Sequence, residues 1–410
     1  MNSGGVFDHS GGTNNIATLC VGRDGSNNEP PIYYLSGTAR LNSNTQTVAG
    51  NSLIIQSGGN NSTGSLIVGK EYRYGTYNQS GGVNHIDGTL FLGKNIGDEG
   101  EYIISGGVLN TREMRIGYQG TGHFEINDSN ASITVSDRLF FGLNSTFTAQ
   151  PGSTIHMIGA AFDNWNTNQH DLLGLNNLSL IFEGGIAAGM GTLEVAGRDL
   201  GFVGTGFYEN FALDALILGG ADIGRVQLVD WRDNVPGGEA LYVKKLVLGI
   251  GSYLDLNGVN LYYQILTDNG GTIELNGGQL LGQDPDPATL TINVEPNDAG
   301  IDTISPTMGE YPSYVNWGVD LQAEPYTSCP RTYNFDHWEG DVANPNSPST
   351  YVIMDTDKTV TAVFVPVEPV CGDECHPILQ GDLNEDCYIN FEDFSLYCER
   401  WLACTHPDCD

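Results

Sequence analysis

Short runs of alternating apolar and polar residues recur along the first 288 residues of the chain. Two clear examples are YIIS (102–105) and MRIG (114–117), and clusters of Gly, Asn and Asp bound each of them. Alternation over four or five residues indicates a half-buried strand, and Gly, Asn and Asp are residues that favour tight turns. The pattern therefore predicts a mainly β chain built from many short strands.

Two sequence markers repeat along these strands. A Ser-Gly marker has its serines at positions 10, 36, 57, 80 and 105, a spacing of 21 to 26 residues. In most copies, a pair made of an apolar residue and a glycine follows this marker. Strands this short cannot bury an apolar face alone, but stacking one copy on the next pairs every strand with its counterpart ~4.8 Å away. The repeat predicts a right-handed parallel β-helix (a solenoid) over residues 1–288, with about 12 coils and a length on the order of 60 Å.

Two other arrangements of these strands are a β-propeller and a β-sandwich. A β-propeller blade needs about 40 residues or more, and a β-sandwich has no tandem Ser-Gly-Gly marker, so both fit the repeat less well. The marker fades after residue 142, whereas the alternating style persists in LIFEGG (180–185) and GTIELNGGQLL (271–281). A sub-boundary near residue 150, with a separate β-domain beyond it, stays open.

The sequence after the repeats divides into three further segments. QDPDPA (283–288) is a Pro- and Asp-rich break, and a second β-pattern follows it over residues 289–365. PVEPV (366–370) is a stiff linker. The remaining tail, residues 371–410, is expected to be a short α-helical, calcium-binding and disulfide-rich module.

A calcium-binding loop is predicted within GDLNEDCYINFED (381–393). Calcium prefers six to eight hard oxygen ligands, and such loops supply them from positions 1, 3, 5, 7, 9 and 12, with position 7 using its backbone carbonyl. The residues at these positions are Asp382, Asn384, Asp386, Tyr388, Asn390 and Asp393. Ile389 is the expected apolar anchor, and an amphipathic helix is expected to start near Phe394. Cys387 stands where such loops normally have a glycine with positive φ.

The tail also concentrates cysteine and negative charge. Six of the 8 cysteines lie there, at positions 371, 375, 387, 398, 404 and 409. This density favours disulfides in an oxidising compartment; a zinc site is the alternative, but the tail has no paired C-x-x-C spacing. Ten acidic residues and one arginine give the tail a formal charge of −9 out of −34 for the whole chain.

Charge argues against binding to nucleic acid, and hydropathy argues against a transmembrane helix. With 16 Lys plus Arg against 50 Asp plus Glu, the chain lacks the cationic surplus that binding nucleic acid requires. No apolar run approaches the ~18 residues of a transmembrane helix. The first ten residues, MNSGGVFDHS, contain no signal segment. Because an exported protein should have one, we expect a mature or truncated chain that starts inside a repeat.

Three parts of the sequence resemble known families. The pattern G-x-Y-x-x-S-G-G followed by IG, clearest in residues 76–122, resembles the repeats of bacterial autotransporter-type and other secreted proteins with a pectin-lyase-like β-helix. The segments 333–342 and 351–365, with Phe335, Trp338 and Phe364, resemble the divergent internalin B-repeat, a small β-domain that serves as a spacer in secreted bacterial proteins. The loop and helix after Gly381 resemble one half of a dockerin. Together these resemblances imply an extracellular or cell-surface protein.

Catalytic and sugar-binding candidates are few. DNWNTNQHD (163–171) offers Asp163, His170 and Asp171 as catalytic candidates and Trp165 as a sugar ligand; an Asn- and Asp-rich turn between coils is the alternative. Trp338 is a candidate for stacking on a sugar or, alternatively, a core residue. No metalloprotease, nucleophile-elbow or phosphate-loop motif occurs.

Two functions therefore remain. The first is an extracellular structural or adhesive protein: a solenoid rod, a spacer and a calcium-stabilised terminal module, able to associate end to end into filaments or with other surface proteins. The second is a β-helix polysaccharide lyase or glycoside hydrolase with a docking tail, for which a polysaccharide is the partner.

Overall fold

The first of two compact units is a long parallel β-solenoid. The computed structural model describes residues 5–22, 30–71, 73–282, 287–296, 303–315, 317–328, 331–368, 372 and 377–400, and the chain divides into Met1–Asp284 and Pro285–Asp410. The solenoid of the first unit has about 11 turns. The predicted β-helix is therefore confirmed, close to the expected number of coils, while the hand of the coil stays a prediction.

The solenoid strands of the described residues form one continuous sheet. Their bounds are β1 (Val6–His9), β2 (Thr13–Val21), β3 (Ile32–Leu35), β4 (Arg40–Val48), β5 (Ser52–Val68), β6 (Tyr74–Leu92), β7 (Glu99–Ile104), β8 (Val108–Ile116), β9 (Thr121–Ile126), β10 (Ser132–Phe141), β11 (Ser145–Ala149), β12 (Ser153–Ile158), β13 (Ala161–Asn164), β14 (Leu178–Glu183), β15 (Gly191–Glu194), β16 (Gly197–Arg198), β17 (Leu213–Leu218), β18 (Arg225–Val229), β19 (Glu239–Leu248), β20 (Tyr253–Asp255), β21 (Asn260–Asp268), β22 (Thr272–Glu274) and β23 (Leu280–Gly282). Two 3-10 helices (Gln169–Asn177 and Ile186–Ala188) and a short helix α1 (Gly204–Tyr208) lie between strands.

Three parallel ladders run along the solenoid. The first ladder joins β1, β3, β5, β6, β7, β9 and β11. The second ladder joins the early parts of β2, β4, β8 and β10 with the middle parts of β5 and β6, and continues through β12, β14, β17 and β19. The third ladder joins the later parts of the same early strands and continues through β13, β15, β18, β20 and β22.

Apolar side chains stack in columns inside the solenoid. In the first ladder, register places one inward residue of each coil above its counterpart in the coil before, and none of these side chains is more than 2% exposed. The column consists of Tyr33, Ile54, Tyr77, Tyr102, Phe124 and Phe147. Tyr77 and Tyr102 are stacked with ring centroids 4.8 Å apart. The alternation read from the sequence thus becomes a continuous apolar interior.

A buried polar ladder crosses the same core. Asn61 donates through Nδ2 to Asn84 Oδ1 at 2.9 Å, and Asn84 donates through Nδ2 to the Tyr102 hydroxyl at 2.9 Å. The hydroxyl in turn donates to Gln79 Oε1 at 2.5 Å. All four residues are buried, so each coil satisfies the polar groups of the next.

Glycines with positive φ form the corners between ladders. The second glycine of the Ser-Gly-Gly marker has φ of +71° at Gly82 and +84° at Gly107, and the apolar-Gly marker has +66° at Gly93. A Cβ at Gly107 would lie 2.6 Å from the carbonyl oxygen of Gly82 in the preceding coil. The markers repeat because a side chain at these corners would both strain the backbone and block the stacking of coils.

The sheet is continuous through residue 150, near which the sequence allows a sub-boundary. β10 pairs with β12 and with β13, and β12 pairs with β14, all in parallel. The described ladders therefore run through one unit, and the coils beyond residue 150 differ more in length, from 36 residues between Ser179 and Ala215 to 20 between Lys245 and Ile265.

The second unit contains two β-sheets around a separate core. Its strands are β24 (Pro287–Glu295), β25 (Ile304–Ser305), β26 (Gly309–Tyr314), β27 (Trp317–Ala323), β28 (Tyr326–Ser328), β29 (Arg331–Glu339), β30 (Ser349–Met354) and β31 (Lys358–Pro366). One sheet has the order β26-β24-β31-β29-β28 and the other β25-β27-β30. Trp338 is the largest buried side chain of this core, which also contains Leu290, Val352 and Phe364.

The tail contains the predicted loop followed by helix α2 (Phe391–Arg400). Ile389, the expected apolar anchor of the loop, is not buried: its side chain is 59% exposed. Cys387 is disulfide-bonded and Cys398 is an exposed thiol; the cysteines at 371, 375, 404 and 409 lie outside the described residues. A disulfide-rich tail thus stays a prediction. No described helix is long and apolar enough to cross a membrane.

Candidate functional sites

Three carboxylates converge in the loop before α2. One oxygen from each of Asp382, Asp386 and Asp393 lies within 4.8 Å of the other two. Asp382 and Asp393 are 6% and 3% exposed. These residues occupy positions 1, 5 and 12 of the predicted calcium loop, so the fold brings together side chains that are up to eleven residues apart in the sequence. Clustered carboxylates are the ligands that a hard divalent cation prefers.

Asp393 closes the loop against its first half. Its Oδ1 accepts a hydrogen bond from the Leu383 amide at 2.7 Å, and its Oδ2 accepts one from the Asn390 amide at 2.8 Å. These amides, with Asn390 first, hold the pKa of Asp393 below its ordinary value. Asp393 therefore stays ionised and ties the loop to the first turn of α2.

The other predicted ligands take different roles. Asn384 donates through Nδ2 to Asp386 Oδ2 at 2.9 Å, and the amide of Tyr388 donates to Asp386 Oδ1 at 2.8 Å. Asn390 uses its Oδ1 to accept from the Glu392 amide at 2.6 Å, as a helix-capping residue does. The three aspartates thus lie together, and the other predicted ligands, Asn384, Tyr388 and Asn390, lie around them in the same loop.

The loop backbone explains the unusual cysteine at position 6. Cys387 has φ of +67°, the conformation for which glycine is normally selected. Its amide donates to Asp382 Oδ2 at 2.8 Å, so the turn is held in place by the first aspartate. Cys387 thus adopts the backbone conformation of the glycine whose position it takes.

Asp163 lies on the outer face of the third ladder and pairs with a cation of the preceding coil. Its carboxylate is 3.2 Å from Arg138 Nε, and its side chain is 11% exposed. Burial raises the pKa of Asp163, and the positive charges of Arg138, Arg115 and Arg232 oppose that shift. The pairing satisfies the carboxylate.

The remaining residues of segment 163–171 shape the turn. Asp171 accepts hydrogen bonds from Asn168 Nδ2 at 3.0 Å and from Asn166 Nδ2 at 3.4 Å. No hydrogen bond or ion pair joins Asp163 to Asp171 or to His170 among the described residues. Within this segment the structure does not assemble the catalytic candidates into one constellation.

Two buried glutamates were not identified from the sequence. Glu194 accepts from the amides of Trp231 and Arg232 at 2.8 and 2.7 Å, and Glu239 accepts from the Val235 amide at 2.9 Å. Burial raises the pKa of each carboxyl to about 7. Isolated glutamates in Gly-rich stretches give no sequence signal, because only the fold shows which of them is enclosed.

These glutamates hold the loop of residues 230–236 against an earlier coil. Asn234 in that loop donates through Nδ2 to the carbonyl oxygens of Asn164 and Asn166 at 3.1 and 2.8 Å. The loop places the Arg232 guanidinium 3.5 Å from the centroid of Trp165. Trp165 is thus a solvent-exposed side chain, 40% exposed, whose position is fixed by the loop of residues 230–236.

Trp338 lies in the core of the second unit. Its side chain is 1% exposed, and its ring contacts Phe335 with centroids 5.7 Å apart. From the sequence, Trp338 is a candidate either for sugar stacking or for the core. In the structure it is a core residue, and its buried ring has no free face for a sugar.

One comparison with known proteins gave a match. Residues 292–368 match the family model of the divergent InlB B-repeat domain, which agrees with the resemblance read over residues 289–365. No curated protein matches the chain. No solved structure matches it either.

Proposed function

We propose that this protein is an extracellular or cell-surface structural element, in which a β-solenoid rod with an adhesive surface is followed by a spacer domain and a calcium-stabilised tail. The observation that carries the proposal is the continuous parallel sheet of the solenoid, with its repeated coil, joined in one chain to a divergent InlB B-repeat domain. Domains of this family occur in bacterial surface proteins.

The solenoid is suited to a structural role because its repeats are stabilised by nearest neighbours. Each coil hydrogen-bonds to the next along three ladders. Adding a coil therefore lengthens the solenoid while its cross-section, and the core within it, stays the same. Its interior is one apolar cluster that extends from Leu19 to Leu261. A stiff body of this kind displays a long lateral surface at constant spacing.

Location is the experiment that tests this function. Antibodies raised against the solenoid should label intact, unpermeabilised cells of the source organism, and external protease should remove the label. Labelling that requires permeabilisation would overturn the proposal. A cytoplasmic protein stained in parallel reports whether the cells stayed intact.

For the tail we propose one calcium ion held by Asp382, Asp386 and Asp393, with Asn384 beside them. Support comes from the convergence of the three carboxylates within 4.8 Å and from the match of their spacing to a calcium loop. The ion would neutralise three like charges that otherwise repel one another, and would thereby stabilise the loop and the start of α2.

Calorimetric titration of the full chain with calcium tests this site. We expect saturable binding that the substitution Asp382→Ala removes. Glu385→Gln is the matched control, because Glu385 lies in the same loop outside the carboxylate cluster and its loss should leave binding intact. Equal binding by the D382A variant would refute the assignment.

End-to-end association of the rod stays a prediction. Light scattering over a concentration series, with and without calcium, would show a rising mass if copies associate; a constant monomer mass would contradict it.

A further inference from the structure

An aromatic ladder crosses four successive coils on the outer face of the third ladder. The ring centroids of Phe91 and Tyr118 are 5.9 Å apart, those of Tyr118 and Phe140 are 5.9 Å apart, and those of Phe140 and Trp165 are 5.2 Å apart. Tyr118 and Trp165 are 39% and 40% exposed, whereas Phe140 between them is only 4% exposed. The rings form a continuous line along the solenoid axis. Solvent-exposed apolar residues are normally isolated from one another, so exposed rings joined in one line indicate an interaction site.

Cations cover the faces of these rings. Three side chains lie over successive rungs: Lys94 Nζ is 4.6 Å from the centroid of Phe91, the Arg115 guanidinium is 4.9 Å from that of Tyr118, and the Arg232 guanidinium is 3.5 Å from that of Trp165. Cation–π contacts at such distances restrict where the cation can lie. The positive groups are therefore held in a row rather than spread through solvent.

This row is unusual for so acidic a chain. The chain has 16 Lys plus Arg and a formal charge of −34, yet Lys94, Arg115, Arg138 and Arg232 all lie at the ladder. Such a cluster concentrates cations on a negative protein, with the carboxylates of Glu113 and Asp163 paired within it.

The cations differ in whether a carboxylate already pairs with them. Glu113 is 3.0 Å from Arg115, and Asp163 is 3.2 Å from Arg138. Among the described residues, no carboxylate lies within ion-pair distance of Lys94 or Arg232. These two cations, at opposite ends of the ladder, are the ones open to an external anion.

We propose that the cation–aromatic strip, defined as Phe91, Lys94, Arg115, Tyr118, Phe140, Trp165 and Arg232, binds a linear anionic polysaccharide that lies along the solenoid axis. Carboxylate or sulfate groups of the polymer pair with Lys94 and Arg232, and the C–H faces of its sugars contact the exposed edges of Tyr118 and Trp165. The inference goes beyond the structural role and assigns the rod a ligand class.

The geometry favours a polymer over a single sugar. Lys94 and Arg232 lie on the first and last rungs, so three coil rises separate them, roughly 14 Å. One monosaccharide cannot reach both cations, whereas a chain that spans the strip gains the second contact at high effective concentration. Affinity should therefore increase with chain length until both ends are engaged.

Affinity electrophoresis in native gels tests the strip with three forms of one backbone: dextran, carboxymethyl dextran and dextran sulfate. The full chain should be retarded by one or both charged forms and not by dextran, and raised ionic strength should weaken the effect. The two charged arms show whether carboxylate or sulfate is preferred. The variant K94Q/R232Q should bind about tenfold more weakly, while K94R/R232K should retain binding.

The matched control is K244Q/K245Q, which removes the same charge from β19 on the second ladder. Lys244 also makes a cation–π contact, 4.3 Å from the centroid of Tyr208, so the control has comparable chemistry elsewhere. Undiminished binding by K94Q/R232Q, equal loss in the control, equal retardation by dextran, or no binding by the wild type would each overturn the proposal. Circular dichroism and thermal midpoints of all variants verify that each is folded. Surface labelling of cells is unaffected by this outcome, so the structural role is tested separately.

Discussion

The hydroxyl group of Tyr102 provides a sharp test of how successive coils are joined. It donates to Gln79 Oε1 at 2.5 Å and accepts from Asn84 Nδ2 at 2.9 Å, and the side chain is fully buried. Burial raises the pKa of Tyr102 far above its ordinary value, so the group acts only as a neutral donor and acceptor. Tyr102→Phe keeps the ring stacked on Tyr77 and removes only these two hydrogen bonds.

The expected loss follows from the two partners left behind. Gln79 Oε1 and Asn84 Nδ2 stay buried without a partner, and an unsatisfied buried polar group costs about 1–3 kcal/mol. Because the side chains of Gln79 and Asn84 can relax in part, we expect the free energy of unfolding to fall by about 2–4 kcal/mol in total. At about 1.4 kcal/mol per factor of ten, this corresponds to roughly 30- to 1000-fold less protection of the amides in β6 and β7.

Native-state hydrogen exchange of the β6 and β7 amides measures this loss directly. Tyr118→Phe is the control, since that side chain is 39% exposed and its change should stay within about 0.5 kcal/mol. A loss in Tyr102→Phe no larger than in the control would refute the idea that the buried polar ladder joins the coils.

Three further predictions concern other parts of the chain. Glu194 and Glu239 have pKa values raised to about 7 by burial, whereas an unfolded glutamate titrates near 4.3. The folded state therefore holds more protons between these values, stability should fall as pH rises through that window, and the E194Q/E239Q variant should show a flatter thermal midpoint against pH; an unchanged slope would contradict the assignment. Gly107→Ala should lower the thermal midpoint of the solenoid, because a Cβ would lie 2.6 Å from a carbonyl oxygen at φ of +84°, and Gly238→Ala, where no atom lies within 4 Å, should not. Trp338→Ala should cost the second unit about 3–5 kcal/mol and leave the solenoid transition in a denaturant titration unchanged; a shift of both transitions would disprove this separation.

Much of the fold was readable because the solenoid repeats a local rule. Alternation in pieces such as residues 102–105, with glycine corners at Gly82 and Gly107, is satisfied within one coil and its neighbour, so pattern alone predicts strand and turn. The convergence of the acidic loop was predictable for the same reason, since Asp382, Asp386 and Asp393 lie within twelve positions and their spacing carries the geometry. Whether the loop binds calcium stays a prediction.

The rest depended on contacts between distant residues. Residues 163–171 suggested a site, but the sequence could not show that Asp163 pairs with Arg138 or that Asp171 is engaged by asparagines of its own turn. Glu194 and Glu239 gave no signal, because burial of an acid is decided by loops that fold over it. The exposure of Ile389 was also decided by the surroundings of the loop, which periodicity does not describe.

The sequence by itself thus determined the repeat, the strands, the boundary to the second β-unit and the acidic loop, since all of these follow from order along the chain. Only the tertiary structure decided which outward side chains meet. Phe91, Tyr118, Phe140 and Trp165 are separated by 22 to 27 positions, and Arg232 lies 67 positions beyond Trp165. Stacking of coils brings them into one line because each coil rises by only about 4.8 Å, a distance that a ring or a guanidinium can bridge.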